Sequence, residues 1–121
     1  MAMVGAAAGG AARVYVGTVI NQYFSGRFPL ATFVINVTGS FFIGLLMTVL
    51  TERFGPHPYL RFLLVVGFLG GYTTFSSFEW EMLFAARNGS GWIALAYAVS
   101  SVVAGFLAVW LGAIAGGARS F

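Results

Sequence analysis

Residues 67–81 read GFLGGYTTFSSFEWE and lie inside a long apolar segment of the chain. Here the adjacent glycines Gly70 and Gly71 precede four serine and threonine hydroxyls and two carboxylates. A core helix disfavours such groups, and a helix face in contact with lipid cannot leave them without partners. What this stretch forms therefore depends on whether the chain lies in water or in a membrane.

The composition indicates an integral membrane protein. Of the 121 residues, 60% are apolar and only 7% are charged, and the mean hydropathy is +0.91. Soluble domains usually carry about a quarter charged residues. A soluble fold of this size could not hide so much apolar surface, because small domains bury only part of what the unfolded chain exposes. We therefore expect the chain to lie in a lipid bilayer.

Several classes of function are excluded by the residues present. The chain has no cysteine, so no disulfide framework or thiolate metal site is available, and the single His57 cannot form a multi-histidine site alone. The net charge of +3 comes from six scattered arginines and no lysine, so nucleic-acid binding is not expected. No ATP-binding motif or catalytic triad is present. We therefore predict neither an enzyme nor a bound organic cofactor.

The apolar runs predict four membrane-spanning helices. An apolar run of about 20 residues crosses a bilayer as a helix. Polar breaks leave four predicted spans at about 2–24, 30–51, 60–86 and 92–115. The N-terminal run lacks a basic region ahead of it, so we interpret it as the first span and not as a cleavable signal peptide. No long hydrophilic segment separates the spans, and residues 1–121 are predicted to form one four-helix transmembrane domain.

The arginines give almost no preferred orientation. One side of the membrane would carry Arg53, Arg61 and Arg119, and the other side Arg27 and Arg87. An excess of basic residues on short loops is what sets topology. Two interpretations stay open on charge alone: another factor fixes the orientation, or the chain inserts both ways and pairs antiparallel.

Glycine spacing predicts close helix packing. Small residues four apart let helix backbones approach closely in lipid. Three such pairs occur, at Gly5/Gly9, Gly67/Gly71 and Gly112/Gly116.

Polar side chains at membrane depth need a partner or a water-filled cavity. Arg13 lies midway along the first span, where an arginine costs about 3 kcal/mol even on the lenient insertion scale. It needs an acid or a wet vestibule, and the acids outside predicted loops are Glu79 and Glu81. Asn36 has two open interpretations: an interhelical hydrogen bond that fixes packing, or an amide donor that faces a polar pathway.

The opening stretch predicts that the third helix is broken near the membrane centre. Gly70-Gly71 is a poor helix interior, and the hydroxyls of Thr73 and Thr74 can satisfy main-chain groups locally. Irregular backbone at that depth persists only inside protein or along a cavity. Its freed carbonyls form a ready cation site.

Beyond the predicted break, Phe75, Phe78 and Glu81 fall on one helix face. Such phenylalanines usually pack in a core or against lipid. They also suit the wall of an anion path, because a phenyl ring offers an anion its partly positive edge. In the fourth span, Tyr97 and Ser101 lie four residues apart and share a face.

The run GFLGGYTTFSSF, with Asn36-Val37-Thr38-Gly39 in the preceding span, resembles the Fluc (CrcB) family of small fluoride channels. Gly9, Arg13, Glu81 and the pair Tyr97 and Ser101 also fit that pattern, so the resemblance covers all four spans. It implies an antiparallel, dual-topology homodimer with two fluoride pathways along the interface. The implied function is passive, selective fluoride export across the plasma or inner membrane.

The resemblance also implies roles for individual residues. Asn36 would donate its amide to the passing ion, and Phe75 and Phe78 would present their ring edges to it. A polar track toward a vestibule, with Arg13 and Glu81 near its end, would consist of Ser76, Ser77, Tyr97 and Ser101. Gly70 and Thr73 of both subunits would supply main-chain carbonyls to a structural sodium ion at the dimer centre.

Two departures from the family pattern bear on function. Ser77 stands where threonine is common and keeps the hydroxyl. Glu79 stands where a small hydroxyl residue is more frequent, and an ionised carboxylate in the path would repel fluoride. We expect Glu79 to point to the membrane surface or to pair with an arginine.

Two other functions remain as alternatives. A small four-helix, proton-coupled multidrug exporter needs a titratable acid at its midplane, and the first span contains none. A non-conducting assembly subunit would use its glycine pairs to hold a larger complex.

Overall fold

The computed structural model describes residues 1–26, 28–53 and 58–118. The predicted loop residues Arg27 and His57, as well as Arg119, lie outside the described residues, and so does the side chain of Arg53.

The described chain is helical and contains no strand. Its helices are α1 (Ala2–Tyr23), α2 (Leu30–Thr48), α3 (Pro58–Leu60), α4 (Gly70–Tyr72), α5 (Phe75–Arg87) and α6 (Gly91–Ala115). A π-helical turn, Val49–Arg53, extends α2, and a π-helical segment, Arg61–Leu69, connects α3 to α4.

Within the described ranges, four helical stretches are long and apolar enough to cross a membrane. They are Ala2–Tyr23, Leu30–Glu52, Pro58–Arg87 and Gly91–Ala115. The prediction of an all-α protein with four membrane helices is confirmed. The third stretch is the longest of the four, and it contains the irregular segment that its extra length allows.

The third span is broken, as predicted, but the break lies at the threonines and not at the glycines. Gly70–Tyr72 remains α-helical, whereas Thr73 (φ −83°, ψ 159°) and Thr74 (φ −148°, ψ 119°) are extended. Gly71 serves close packing instead, because a Cβ added there would press on the main chain of Ala6 in α1. The expectation that the glycines break the helix was wrong in this detail.

Glycines bring the first and third spans into main-chain contact. A Cβ added to Gly5 would overlap the Leu63 carbonyl, and one added to Gly9 would overlap the Phe68 carbonyl. Helices whose backbones approach this closely gain van der Waals contact that lipid cannot replace. The pair Gly5/Gly9 therefore packs as its spacing predicts.

The second and fourth spans cross in the same way. Helix α2 packs most extensively on α6. A Cβ at Gly44 would overlap the Val109 carbonyl, and a Cβ at Gly112 would overlap the Phe41 carbonyl. These two helix pairs form the scaffold against which the broken segment is held.

Replacement of Gly112 should destabilise this crossing. We expect Gly112→Ala to lower the thermal unfolding midpoint of the purified protein, because overpacking costs about 1–3 kcal/mol. Gly105→Ala is the matched control in the same helix, since its added Cβ would lie 3.5 Å from the Ser40 hydroxyl, an ordinary contact. Equal unfolding midpoints for the two variants in detergent would contradict the close crossing.

Candidate functional site

The break in the third span is held by a side chain from α2. Asn36 Nδ2 donates to the Thr74 carbonyl at 2.9 Å, and the Thr74 amide donates to Asn36 Oδ1 at 2.8 Å. The side-chain amide thus replaces the main-chain partner that an extended residue would have in a sheet. Of the two interpretations of Asn36, the interhelical hydrogen bond is present. One of its two N–H groups is not used by Thr74.

The threonines also satisfy main-chain groups on either side of the break. Thr73 Oγ1 donates to the Leu69 carbonyl at 2.9 Å, at the end of the preceding helix. Thr74 Oγ1 accepts from the Ser77 amide at 3.3 Å and so caps the N-terminus of α5. Hydroxyl side chains in this stretch therefore have the local role that the sequence predicts.

A groove of about 460 Å³ opens at the break. Its lining includes Asn36, Gly39, Gly70, Thr73 and Phe75. Among the described residues, no side chain and no loop amide donates a hydrogen bond to the carbonyl of Gly70 or Thr73. Gly70 and Thr73, which carry these carbonyls, both line the groove.

Main-chain carbonyls at the break are the groups that could hold a metal ion there. Main-chain oxygens suit hard cations. The described residues contain no group of three or more histidine, cysteine or acidic side chains that could hold a metal. Gly70 and Thr73, which line the groove, carry two such main-chain oxygens.

Three aromatic rings form a row from the groove into the protein. The Phe75 and Phe78 ring centroids are 6.0 Å apart, and those of Phe78 and Tyr97 are 4.8 Å apart in a T-shaped arrangement. Phe75 is 73% exposed at the groove, Phe78 is 8% exposed, and Tyr97 is fully buried. Phe75 and Phe78 share one face of α5, as their spacing predicts.

Glu81 lies at the inner end of this row. The Tyr97 hydroxyl donates to Glu81 Oε1 and the Thr32 hydroxyl to Glu81 Oε2, each at 3.0 Å. Side chains from α2 and α6 thus fix the carboxylate on α5. Thr32 was not predicted as a site residue, although it lies four residues before Asn36 and on the same face of α2.

Arg13 and Glu81 line one polar cavity of about 300 Å³, together with Thr32, Thr74 and Ser77. Arg13 Nε donates to the Gly71 carbonyl at 3.2 Å, and no carboxylate in the described part of the chain pairs with its guanidinium. Of the two environments predicted for Arg13, the cavity is the one that the fold provides. Glu81 also lines a second cavity of about 640 Å³ beside Trp80, so its carboxylate stands between two open spaces.

The remaining predicted residues occupy different surroundings. Ser76 is exposed, and Ser101 is half-buried with a buried Oγ that has no hydrogen-bond partner in the described residues. Neither is among the described residues that line the groove or the polar cavity. Glu79 is exposed on α5 and, like them, lies outside the described linings of both spaces.

The chain has four membrane helices, the third of which is broken, and polar side chains gather at the break. These features define a small multi-pass membrane protein. Residues 1–113 match the family model described as "CrcB-like protein, Camphor Resistance (CrcB)". The chain belongs to the CrcB family, and the resemblance seen in its sequence is confirmed.

Several similar proteins are named fluoride-specific ion channel FluC. The chain is 57% identical over 111 residues to the fluoride-specific ion channel FluC of Solibacter usitatus, which covers 92% of this chain and 91% of the relative. It is 48% identical to that of Acidobacterium capsulatum, with coverage of 93% and 90%. It is 46% identical to that of a Hydrogenobaculum species, with coverage of 95% and 93%.

Proposed function

We propose that this protein is a passive, fluoride-selective channel that lets fluoride leave the cell. The observation that carries the proposal is the 57% identity, over nearly the whole chain, to a protein named fluoride-specific ion channel FluC. With the cell interior negative, the membrane potential favours anion exit by about 2.3 kcal/mol per 100 mV. The protein therefore acts as a channel and not as an enzyme, and it needs no energy source.

The pathway runs from the groove along the aromatic row to the polar cavity. Fluoride is small and strongly hydrated, so close donors must replace its water. The unused N–H of Asn36 and the ring edges of Phe75 and Phe78 supply such contacts at the groove. The hydroxyls proposed beyond them are that of Ser77, which lines the polar cavity, and those of Ser76, Tyr97 and Ser101, which lie outside the described linings of both spaces. The buried Ser101 hydroxyl supports this role, because it has no partner among the described residues.

The channel is an antiparallel homodimer in this proposal. Phe75 and Gly70 are exposed beside the groove, and a second copy would cover them. Covering the groove would bring the Gly70 and Thr73 carbonyls of both copies to one sodium ion. When bound, that ion offsets the repulsion between anions in a low dielectric. The nearly balanced arginines also favour insertion in both orientations.

Fluoride efflux from liposomes tests the proposal. Purified protein is reconstituted, and a fluoride electrode follows release beside a chloride control. We expect fast fluoride efflux without a proton gradient and no chloride efflux. Efflux that requires a proton gradient would support the exporter instead, and no efflux at all would support a non-conducting subunit.

A further inference from the structure

Asn36 controls the orientation of one peptide group at the break. The Thr74 amide that donates to Asn36 Oδ1 belongs to the same peptide unit as the Thr73 carbonyl. Peptide units are planar, and the described chain contains no cis peptide bond, so this N–H and this C=O point in opposite directions. Holding the N–H toward α2 therefore aims the Thr73 carbonyl oxygen away from α2.

The second hydrogen bond of Asn36 fixes the next peptide group. Asn36 Nδ2 donates to the Thr74 carbonyl, so one side chain restrains the peptides on both sides of the Thr74 α-carbon. Thr73 and Thr74 are the two residues that leave helical geometry, and no regular hydrogen-bond ladder sets their rotation. Asn36 supplies the missing restraint.

We propose that Asn36 is a positioning residue for the cation site. Through the planar peptide between Thr73 and Thr74, it holds the Thr73 carbonyl oxygen where a hard monovalent cation binds. The inference rests on the sodium site of the proposed function and adds that Asn36 acts on both ions. In this proposal its remaining N–H donates to the anion. Its Oδ1, by accepting from the Thr74 amide, fixes the direction of the Thr73 carbonyl oxygen that binds the cation.

The test is a sodium titration of the thermal unfolding midpoint of the purified protein in detergent. Sodium is replaced by N-methylglucamine at constant ionic strength, and no fluoride is present. We expect the half-saturating sodium concentration of Asn36→Ala to rise about tenfold, because two hydrogen bonds to the Thr74 main chain are lost. Asn88→Ala is the matched control, since the Asn88 amide also donates to a main-chain carbonyl, that of Phe84, but within its own helix.

Asn36→Asp separates the loss of the hydrogen bond to the Thr74 amide from a change in packing. A carboxylate cannot donate to the Thr74 carbonyl, but it still accepts from the Thr74 amide and so keeps the bond that aims the Thr73 carbonyl. We therefore expect the half-saturating sodium concentration of Asn36→Asp to be no higher than that of the wild type, in contrast to Asn36→Ala. This variant also keeps the inference testable if Asn36→Ala fails to fold.

The outcomes separate the inference from the proposals on which it rests. Wild-type sodium affinity in Asn36→Ala, or affinity as weak in Asn36→Asp as in Asn36→Ala, would overturn the positioning role alone, provided that the wild type responds to sodium. If the unfolding midpoint of the wild-type protein does not change with sodium concentration, both the sodium site and this inference are overturned. The liposome measurement decides fluoride conduction independently of both.

Discussion

Phe78→Ile is expected to reduce fluoride efflux from liposomes about fivefold, because a ring-edge contact of about 1 kcal/mol is lost and each 1.4 kcal/mol is a factor of ten. Phe78 is 8% exposed, and its ring lies between the exposed Phe75 and the buried Tyr97. Isoleucine keeps most of the apolar burial but offers no partly positive edge to an anion. The loss should therefore fall on conduction more than on folding.

Phe106→Ile is the matched control for this change. Phe106 is 71% exposed on α6 and is not among the described residues that line the groove or the polar cavity. Its efflux rate should equal that of the wild type. The elution volume in size-exclusion chromatography should be the same for both variants, which shows that assembly is intact. If Phe78→Ile releases fluoride as fast as the wild type, the aromatic row is not part of the fluoride pathway.

Hydropathy predicts the four spans because each span must satisfy its own main chain in lipid. The same argument predicts a break in GFLGGYTTFSSFEWE, since that stretch is rich in groups that disfavour a regular helix. It does not give the position of the break. Gly70 and Gly71 have the lower helix propensity, yet both stay helical, and α1 packs closely on Gly71. Thr74 is extended because Asn36 from another span binds its main chain.

The site was predictable only in part for the same reason. Spacing along α5 places Phe75 and Phe78 on one face, which is a local property of the sequence. Arg13 was expected to meet an acid or a wet vestibule. It lines the polar cavity and donates to the Gly71 carbonyl, a main-chain group that no sequence pattern singles out. Thr32 donates to Glu81 across 49 positions of the chain, and no local pattern links the two. Contacts between spans could therefore be identified only from the structure.

Tyr97→Phe is expected to lower fluoride efflux about tenfold and to cost about 1–3 kcal/mol of stability, because a buried acceptor loses its donor. The phenyl ring should still pack against Phe28 and Phe78, whose centroids lie 5.3 and 4.8 Å away, so the fold persists. Without the Tyr97 hydroxyl, Glu81 keeps only Thr32 as a donor. The released carboxylate can then turn into the polar cavity, where its charge repels fluoride.

The charge explanation can be separated from the loss of a donor in the pathway. In the background of Glu81→Gln, a released side chain carries no charge, so Tyr97→Phe should reduce efflux much less than it does in the wild type. Tyr15→Phe removes a hydroxyl from a tyrosine that is 71% exposed on α1, and it should leave efflux and the thermal unfolding midpoint unchanged. If Tyr97→Phe lowers efflux by the same factor in both backgrounds, the hydroxyl itself serves the ion and its hold on Glu81 is not the cause.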